Sequence, residues 1–257
     1  MEVSSRLRGG VSRIGDLHQS GSYKALFPRS NSPTLQAVVL NTAGGVTGGD
    51  RLHLSARAET GSHLVLTTQA AERIYRAQPG EVGDLRTSLS VAPGARLDWL
   101  PQETIVYNHA ALDRQLEASV APEGRLLVVE PLIFGRTAMK EIIQSGYFCD
   151  KWQIKRGNKL IFSDQIRLSG PIQSILERPA VAGGALAMAS LLLIAPDADL
   201  YLARLRAALG PRGGASLIRP GVLFARLLAE DGYVLRRNLI PAIQTLSGAD
   251  IPKTWTL

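Results

Sequence analysis

The chain has 257 residues, 45% hydrophobic and 20% charged, which suits a folded protein with a sizeable core and excludes a disordered or collagen-like one. Aromatic residues make up only 5%, so Leu, Val, Ile and Ala must fill that core. The net charge of +7 raises nucleic acid as a partner, but the cations are dispersed: no run of four occurs and no aromatic-interleaved motif is present. A solvated surface or an acidic protein partner is the better reading.

The first residues, Met1 to Arg6, lack the apolar core of a signal peptide. Residues 1–14 read as a flexible N-terminus. The longest apolar stretch, Val181 to Ala195, is shorter than a membrane span and stops at Pro196-Asp197. The single cysteine, Cys149, cannot form an internal disulfide. These features fit a cytoplasmic chain with no membrane association.

Leu40 to Leu52 holds two Gly-Gly pairs, Gly44-Gly45 and Gly48-Gly49, followed by Asp50. Four glycines so close describe a loop shaped by backbone conformation, joining two strands. It is not a P-loop: the lysine and hydroxyl that hold phosphate and Mg²⁺ are missing, and Asp50 would repel phosphate. Beyond it the pattern has period two. Leu52, Leu54, Ala56 and Ala58 alternate with polar residues, as do Leu85, Thr87, Leu89 and Val91, and then Leu116, Ala118 and Val120. Leu126 to Val129 reads as a fully buried strand. Pro93-Gly94, Pro122-Glu123-Gly124 and Arg156-Gly157-Asn158 read as turns. The spacing predicts stacked antiparallel or mixed sheets, and no strand–helix alternation suggests a doubly wound fold. Thr67 to Arg76 reads as a strand end passing into irregular backbone that lines a groove or simply turns.

The last third changes character. Pro196-Asp197-Ala198-Asp199 opens a helix expected to reach Leu209 and stop at Gly210. Val222 to Ala229 reads as a buried strand. Leu235, Leu239, Ile243 and Leu246 mark one face of a second helix, which Pro241 is expected to kink or divide near Asn238. The expected architecture is therefore mainly β, with two C-terminal helices in a single domain spanning residues 1–257.

Recognisable catalytic chemistry is absent. His18, His53, His63 and His109 are scattered, with no paired His or Cys spacing for a transition metal. Only His53 and His63 would meet, if their strands are neighbours. There is no G-x-S-x-G elbow. Glu103, Glu130 and Glu141 stand out, and their plain reading is anchoring of turns or pairing with Arg73, Arg76 or Arg136. A glycosidase-like Glu130–Glu141 pair is expected by chance in a chain this long.

Five ordered blocks carry a resemblance. They are the glycine loop; Thr67-Thr68-Gln69-Ala70-Ala71-Glu72-Arg73-Ile74-Tyr75-Arg76; Leu100-Pro101-Gln102-Glu103-Thr104-Ile105; Glu130 with Phe134-Gly135-Arg136-Thr137-Ala138-Met139-Lys140-Glu141; and Ile251-Pro252-Lys253-Thr254-Trp255. Together they make the chain similar to the urease accessory protein family UreD, also called UreH, from about residue 15 to the C-terminus. The resemblance implies a non-enzymatic scaffold that, with UreF and the GTPase UreG, docks on apo-urease and enables nickel insertion, with UreE as the metal donor. It implies no resident cofactor: nickel would transit and UreG would bind the GTP. Asp50, Glu72, Glu103, Glu130 and Glu141 become candidates for a metal path or a partner contact, and Gly44, Gly45, Gly48 and Gly49 for a structural loop. One departure is Lys140, where a small glycine is expected before Glu141. A basic nucleic-acid-binding protein and a hydrolase with a carboxylate site remain the alternatives from other classes.

Overall fold

The computed structural model describes residues 1–136, 139, 141–248 and 251–256. Two mixed sheets face each other. Sheet A has the order β14 (Lys159–Gly170), β13 (Gly146–Arg156), β11 (Ala111–Val120), β8 (Gly83–Val91), β5 (Arg51–Ala58), β1 (Glu2–Arg8), β2 (Val11–His18). Sheet B runs β16 (Gly213–Arg219), β17 (Val222–Ala229), β15 (Ala187–Ile194), β12 (Arg125–Phe134), β9 (Arg96–Leu100), β6 (His63–Thr68), β4 (Leu35–Asn41), β3 (Tyr23–Leu26). Two short strands, β7 (Glu72–Ile74) and β10 (Thr104–Val106), extend it beside β12.

Between β4 and β13 the chain passes repeatedly from one sheet to the other, so strands that follow each other within a sheet are parallel. β5, β8, β11 and β13 pair this way in sheet A, and β4, β6, β9 and β12 in sheet B. Parallel strands usually need a crossover helix. Here the strand in the opposite sheet serves as the crossover, which is why the sequence shows period two and no helices in this region.

The alternation sets the core. Leu54 and Ala56 of β5, Leu89 of β8, Leu116 of β11 and Trp152 of β13 meet Leu66 of β6, Leu97 and Trp99 of β9 and Val128 of β12. The other face of sheet B is covered by helices α2 (Leu202–Leu209) and α3 (Gly232–Ser247), which bury Leu205, Leu209, Leu235, Leu239 and Ile243 against Leu127, Val129 and Leu191. No helix among the described residues is long and apolar enough to cross a membrane.

Several expectations need correction. Residues 1–14 are not a flexible lead-in: β1 pairs with both β2 and β5. Pro241 does not divide α3, which is continuous from Gly232 to Ser247. A mid-helix proline costs about 3 kcal/mol, but α3 buries Leu235, Leu239, Ala242, Ile243 and Leu246, each of the larger side chains stabilising by roughly 1.5–3 kcal/mol. Its ends are also well made: the Asp231 carboxylate accepts from Val234 N–H at 2.8 Å, and Gly248 takes the left-handed φ of 60°. The expected helix after Pro196 opens as a 3₁₀ turn, Ala198–Tyr201, before α2. The short helix α1 (Ile172–Glu177) and strand β16 lack the alternation or length that would reveal them in sequence.

Candidate functional site

The glycine loop joins β4 to β5 and lies against the segment that follows β6. Val46 N–H donates to Arg73 O and Tyr75 N–H to Val46 O, both at 2.8 Å. Gly45 is required by this approach: a Cβ there would stand 2.3 Å from the Tyr75 ring and 2.7 Å from Arg73 O. Gly44 and Gly49 have left-handed φ of 79° and 82°, and a Cβ on Gly48 would meet Glu81 at 2.6 Å. Asp50 belongs to the loop's own closure, its carboxylate accepting from Thr47 N–H at 2.9 Å.

Asn41 locks the loop to a carboxylate. Its amide donates to Gly45 O at 2.9 Å and to Glu72 Oε1 at 3.1 Å. Glu72 begins β7 and faces a cavity of about 240 Å³ between the sheets, walled also by Tyr23, Thr68, Trp99, Arg114 and Glu130. The stretch Thr68 to Arg73 forms one side of it, so the irregular segment seen in the sequence does line a cavity.

Glu130 is the deepest group there. It is 3% exposed, on the face of β12 that carries Leu126 and Val128. Trp99 Nε1 donates to Oε1 at 2.9 Å, and Trp152 Nε1 to Oε2 at 3.2 Å. Arg114 Nη2 lies 2.9 Å from Oε2. The same guanidinium grips Asp150 with two bonds, 3.0 and 2.7 Å, and donates to Thr104 Oγ1 at 3.0 Å. Trp152, Arg114 and Asp150 come from sheet A, Trp99 and Glu130 from sheet B. The cluster therefore ties the two sheets together.

One buried cation serves two buried carboxylates. Burial raises the pKa of Glu130; Arg114 opposes the rise and Asp150 adds to it. Burial works against the Arg114 charge too, but Asp150 and Glu130 hold it protonated. Glu72 is also raised by burial, with the Asn41 amide pulling the other way, and the Tyr23 hydroxyl is raised by burial and then by Glu72. The cavity is thus lined by two carboxylates, Glu72 and Glu130, beside three arginines, Arg73, Arg86 and Arg114. Among the described residues no cluster of three or more His, Cys, Asp or Glu could hold a metal ion.

The other candidates lie elsewhere. Glu103 faces α3, where Arg236 takes both its oxygens at 2.5 and 3.0 Å. Arg236 also donates to Gln102 and to Trp255 O, and lies over the Trp255 ring, so this cluster fastens the C-terminal segment. Glu141 accepts two bonds from the Arg136 guanidinium, at 2.9 and 3.1 Å, one from Arg136 backbone N–H at 3.1 Å and one from Asn108 N–H. Arg136 is the largest cause of its lowered pKa. Of the pairings expected with Arg73, Arg76 or Arg136, only Glu141–Arg136 forms: Glu130 pairs with Arg114 and Glu103 with Arg236. Glu141 does not line the cavity that holds Glu130. Lys140 lies outside the described residues. His53 and His63 are on different sheets, each beside its own aspartate, Asp84 at 4.0 Å and Asp98 at 3.0 Å. Cys149 is buried.

Reading the sequence missed Tyr23, Asn41, Arg114 and Asp150. A signal existed for two of them: Arg114 and Asp150 occupy the apolar phase of their strands, between Leu112 and Leu116 and between Phe148 and Trp152.

Comparison with known proteins gives the family. A profile of the UreD urease accessory protein family matches residues 1–256. The chain is 50% identical over 257 residues to a urease accessory protein UreD of Ruegeria pomeroyi, covering all of both chains. It is 47% identical over 255 residues to one of Roseobacter denitrificans, covering 99% of this chain and 93% of the relative. To the urease accessory protein UreD 1 of Brucella abortus it is 43% identical over 260 residues, covering 100% and 92%. The chain belongs to the UreD family of urease accessory proteins, and its role is in urease maturation.

Proposed function

We propose that the protein is a single-domain cytoplasmic scaffold that joins UreF and the GTPase UreG, docks on apo-urease and enables nickel insertion into the urease active site, with UreE supplying the metal. It performs no catalysis and keeps no cofactor of its own. The observation that supports this reading is the cavity between the sheets, which brings Glu72 and Glu130 together with hydroxyl and amide groups and three arginines, and no imidazole or thiolate. Oxygen donors hold a borderline-soft divalent cation weakly, whereas clustered imidazoles or thiolates retain it. At about 30 Å³ of liquid volume per water, the cavity has room for an ion with part of its hydration. Each carboxylate, when ionised, lowers the barrier for that ion to leave bulk water. The carboxylates therefore guide cargo, and the arginine between Glu130 and Asp150 keeps them from holding it.

Deleting the gene tests the assignment. The expected outcome is assembled urease subunits that lack nickel and activity, measured by metal analysis of purified urease. Normal nickel occupancy in the deletion strain would overturn it.

A further inference from the structure

The β13–β14 hairpin, Gly146 to Gly170, forms one end of sheet A. It contains five cations, Lys151, Lys155, Arg156, Lys159 and Arg167, and two acids, Asp150 and Asp164. Both acids are engaged by arginines of other strands: Asp150 by Arg114, and Asp164 by Arg226 at 2.5 Å. None of the five cations forms a salt bridge among the described residues. Arg156 Nε is buried without a hydrogen-bond partner there. A buried donor left unpaired costs about 1–3 kcal/mol, so this end of the hairpin lacks an acceptor.

The second observation is the backbone. β14 is twelve residues long and pairs only with β13. Its outer edge makes no backbone hydrogen bond to any other described element. Exposed edges are ordinarily shortened, bulged, interrupted by proline or covered. The other edges show such devices: β3 has four residues, and β2 carries an irregularity in its pairing with β1 and a bond from Ser12 N–H to Pro33 O. β14 too has a register shift, opposite Ile154 and Lys155, but it contains no proline and pairs without interruption from Phe162 to Gly170. On the outward face Arg167 stands opposite Cys149, Gln165 opposite Lys151, and Ser163 opposite Gln153.

We propose that β14 is a docking edge for an extended acidic segment of a partner protein, which adds a strand to sheet A. Backbone pairing along the edge gives the register. Carboxylates on the outward face of the added strand meet Arg167 and Lys151, and one at its end satisfies Arg156. The cations that admit an acidic strand repel a second copy of this chain. This surface is separate from the Glu72–Glu130 cavity and does not depend on the cargo path.

The test uses the full chain and a ten-residue fluorescent peptide of alternating Glu and Thr. Binding is followed by anisotropy, and the amides of β14 by hydrogen exchange. The expected result is saturable binding with protection confined to β14. Lys151→Glu with Arg167→Glu should weaken it by about 10-fold, from two exposed charge pairs. A peptide N-methylated at alternate residues should not bind. If the double variant melts early, Lys155→Glu, at an exposed strand end, should still weaken binding. No binding of the acidic peptide, equal binding of the N-methylated peptide, equal binding by the charge-reversed variants, or pairing of β14 with a second copy of the chain would each overturn the proposal.

Discussion

Glu103 and Glu130 are both buried glutamates held by an arginine, yet their surroundings differ in one respect. Glu103 has Arg236 to itself, and that arginine goes on to hold Gln102 and the backbone of Trp255. The pair is neutral and joins α3 and the C-terminal segment to the end of β9. Glu130 shares Arg114 with Asp150, so two carboxylates face one guanidinium beside a cavity into which Glu72 also points. A neutral pair fastens elements together. Burial raises the pKa of Glu130 and Asp150 adds to the rise, the kind of perturbation that marks functional sites.

The largest expected effect comes from removing the shared cation. Arg114→Met leaves Asp150 and Glu130 buried without it, and breaking a buried ion pair this way costs about 3–5 kcal/mol. Thermal unfolding should fall by roughly 10 °C. A melting temperature unchanged by this substitution would mean that the cluster does not tie the sheets together.

Next is the loop that presents Glu72. Gly45→Val places side-chain atoms where the Tyr75 ring and Arg73 O already stand, an overpacking cost of about 1–3 kcal/mol. It should displace Asn41 and Glu72 while leaving the Glu103–Arg236 region intact. At Gly49 a Cβ makes only ordinary contact with Glu81, at 3.9 Å, so Gly49→Val faces mainly its positive φ, about 1–2 kcal/mol. Both should lower solubility and partner binding together, Gly45→Val more strongly. The reverse order in urea unfolding would contradict the packing argument.

A smaller effect at Glu130 is read by pH. Because burial raises the folded-state pKa of Glu130, its contribution favours the fold below the ordinary carboxylate range, about 4.3. That contribution is lost as pH rises through the raised value. Glu130→Gln should flatten this decline in a series of melts. An unchanged slope in Glu130→Gln would mean that Glu130 is ionised throughout.

Much of the fold is legible in the sequence because period two reports burial directly. β5, β8, β11 and β17 follow their apolar alternation, and α2 stops at Gly210. Strand direction is not legible, since alternation is the same in parallel and antiparallel sheets. The site was half legible. The glycine loop and Glu130 stand in segments that resemble a known family, but their partners are set by long-range packing. Arg114 meets Asp150 because β11 and β13 are parallel neighbours, and it meets Glu130 because the two sheets face each other. The extent of α3 was misjudged for a similar reason: local proline chemistry predicts a break, and burial against sheet B overrides it.

The central claim is that the carboxylates at the cavity serve the cargo and not only the fold. Its most direct measurement is the nickel content of urease activated with Glu72→Gln/Glu130→Gln protein, beside Glu141→Gln, whose carboxylate is occupied by Arg136. The double variant is predicted to melt lower, because an amide NH2 cannot accept from Trp152 and Arg114 as Glu130 Oε2 does, yet to form the complex with UreF and UreG at a temperature where it is folded. It should nevertheless leave urease short of nickel, while Glu141→Gln activates it fully. Full nickel loading by the double variant would contradict the claim, as would a loss of loading that only tracks its melting temperature or complex formation.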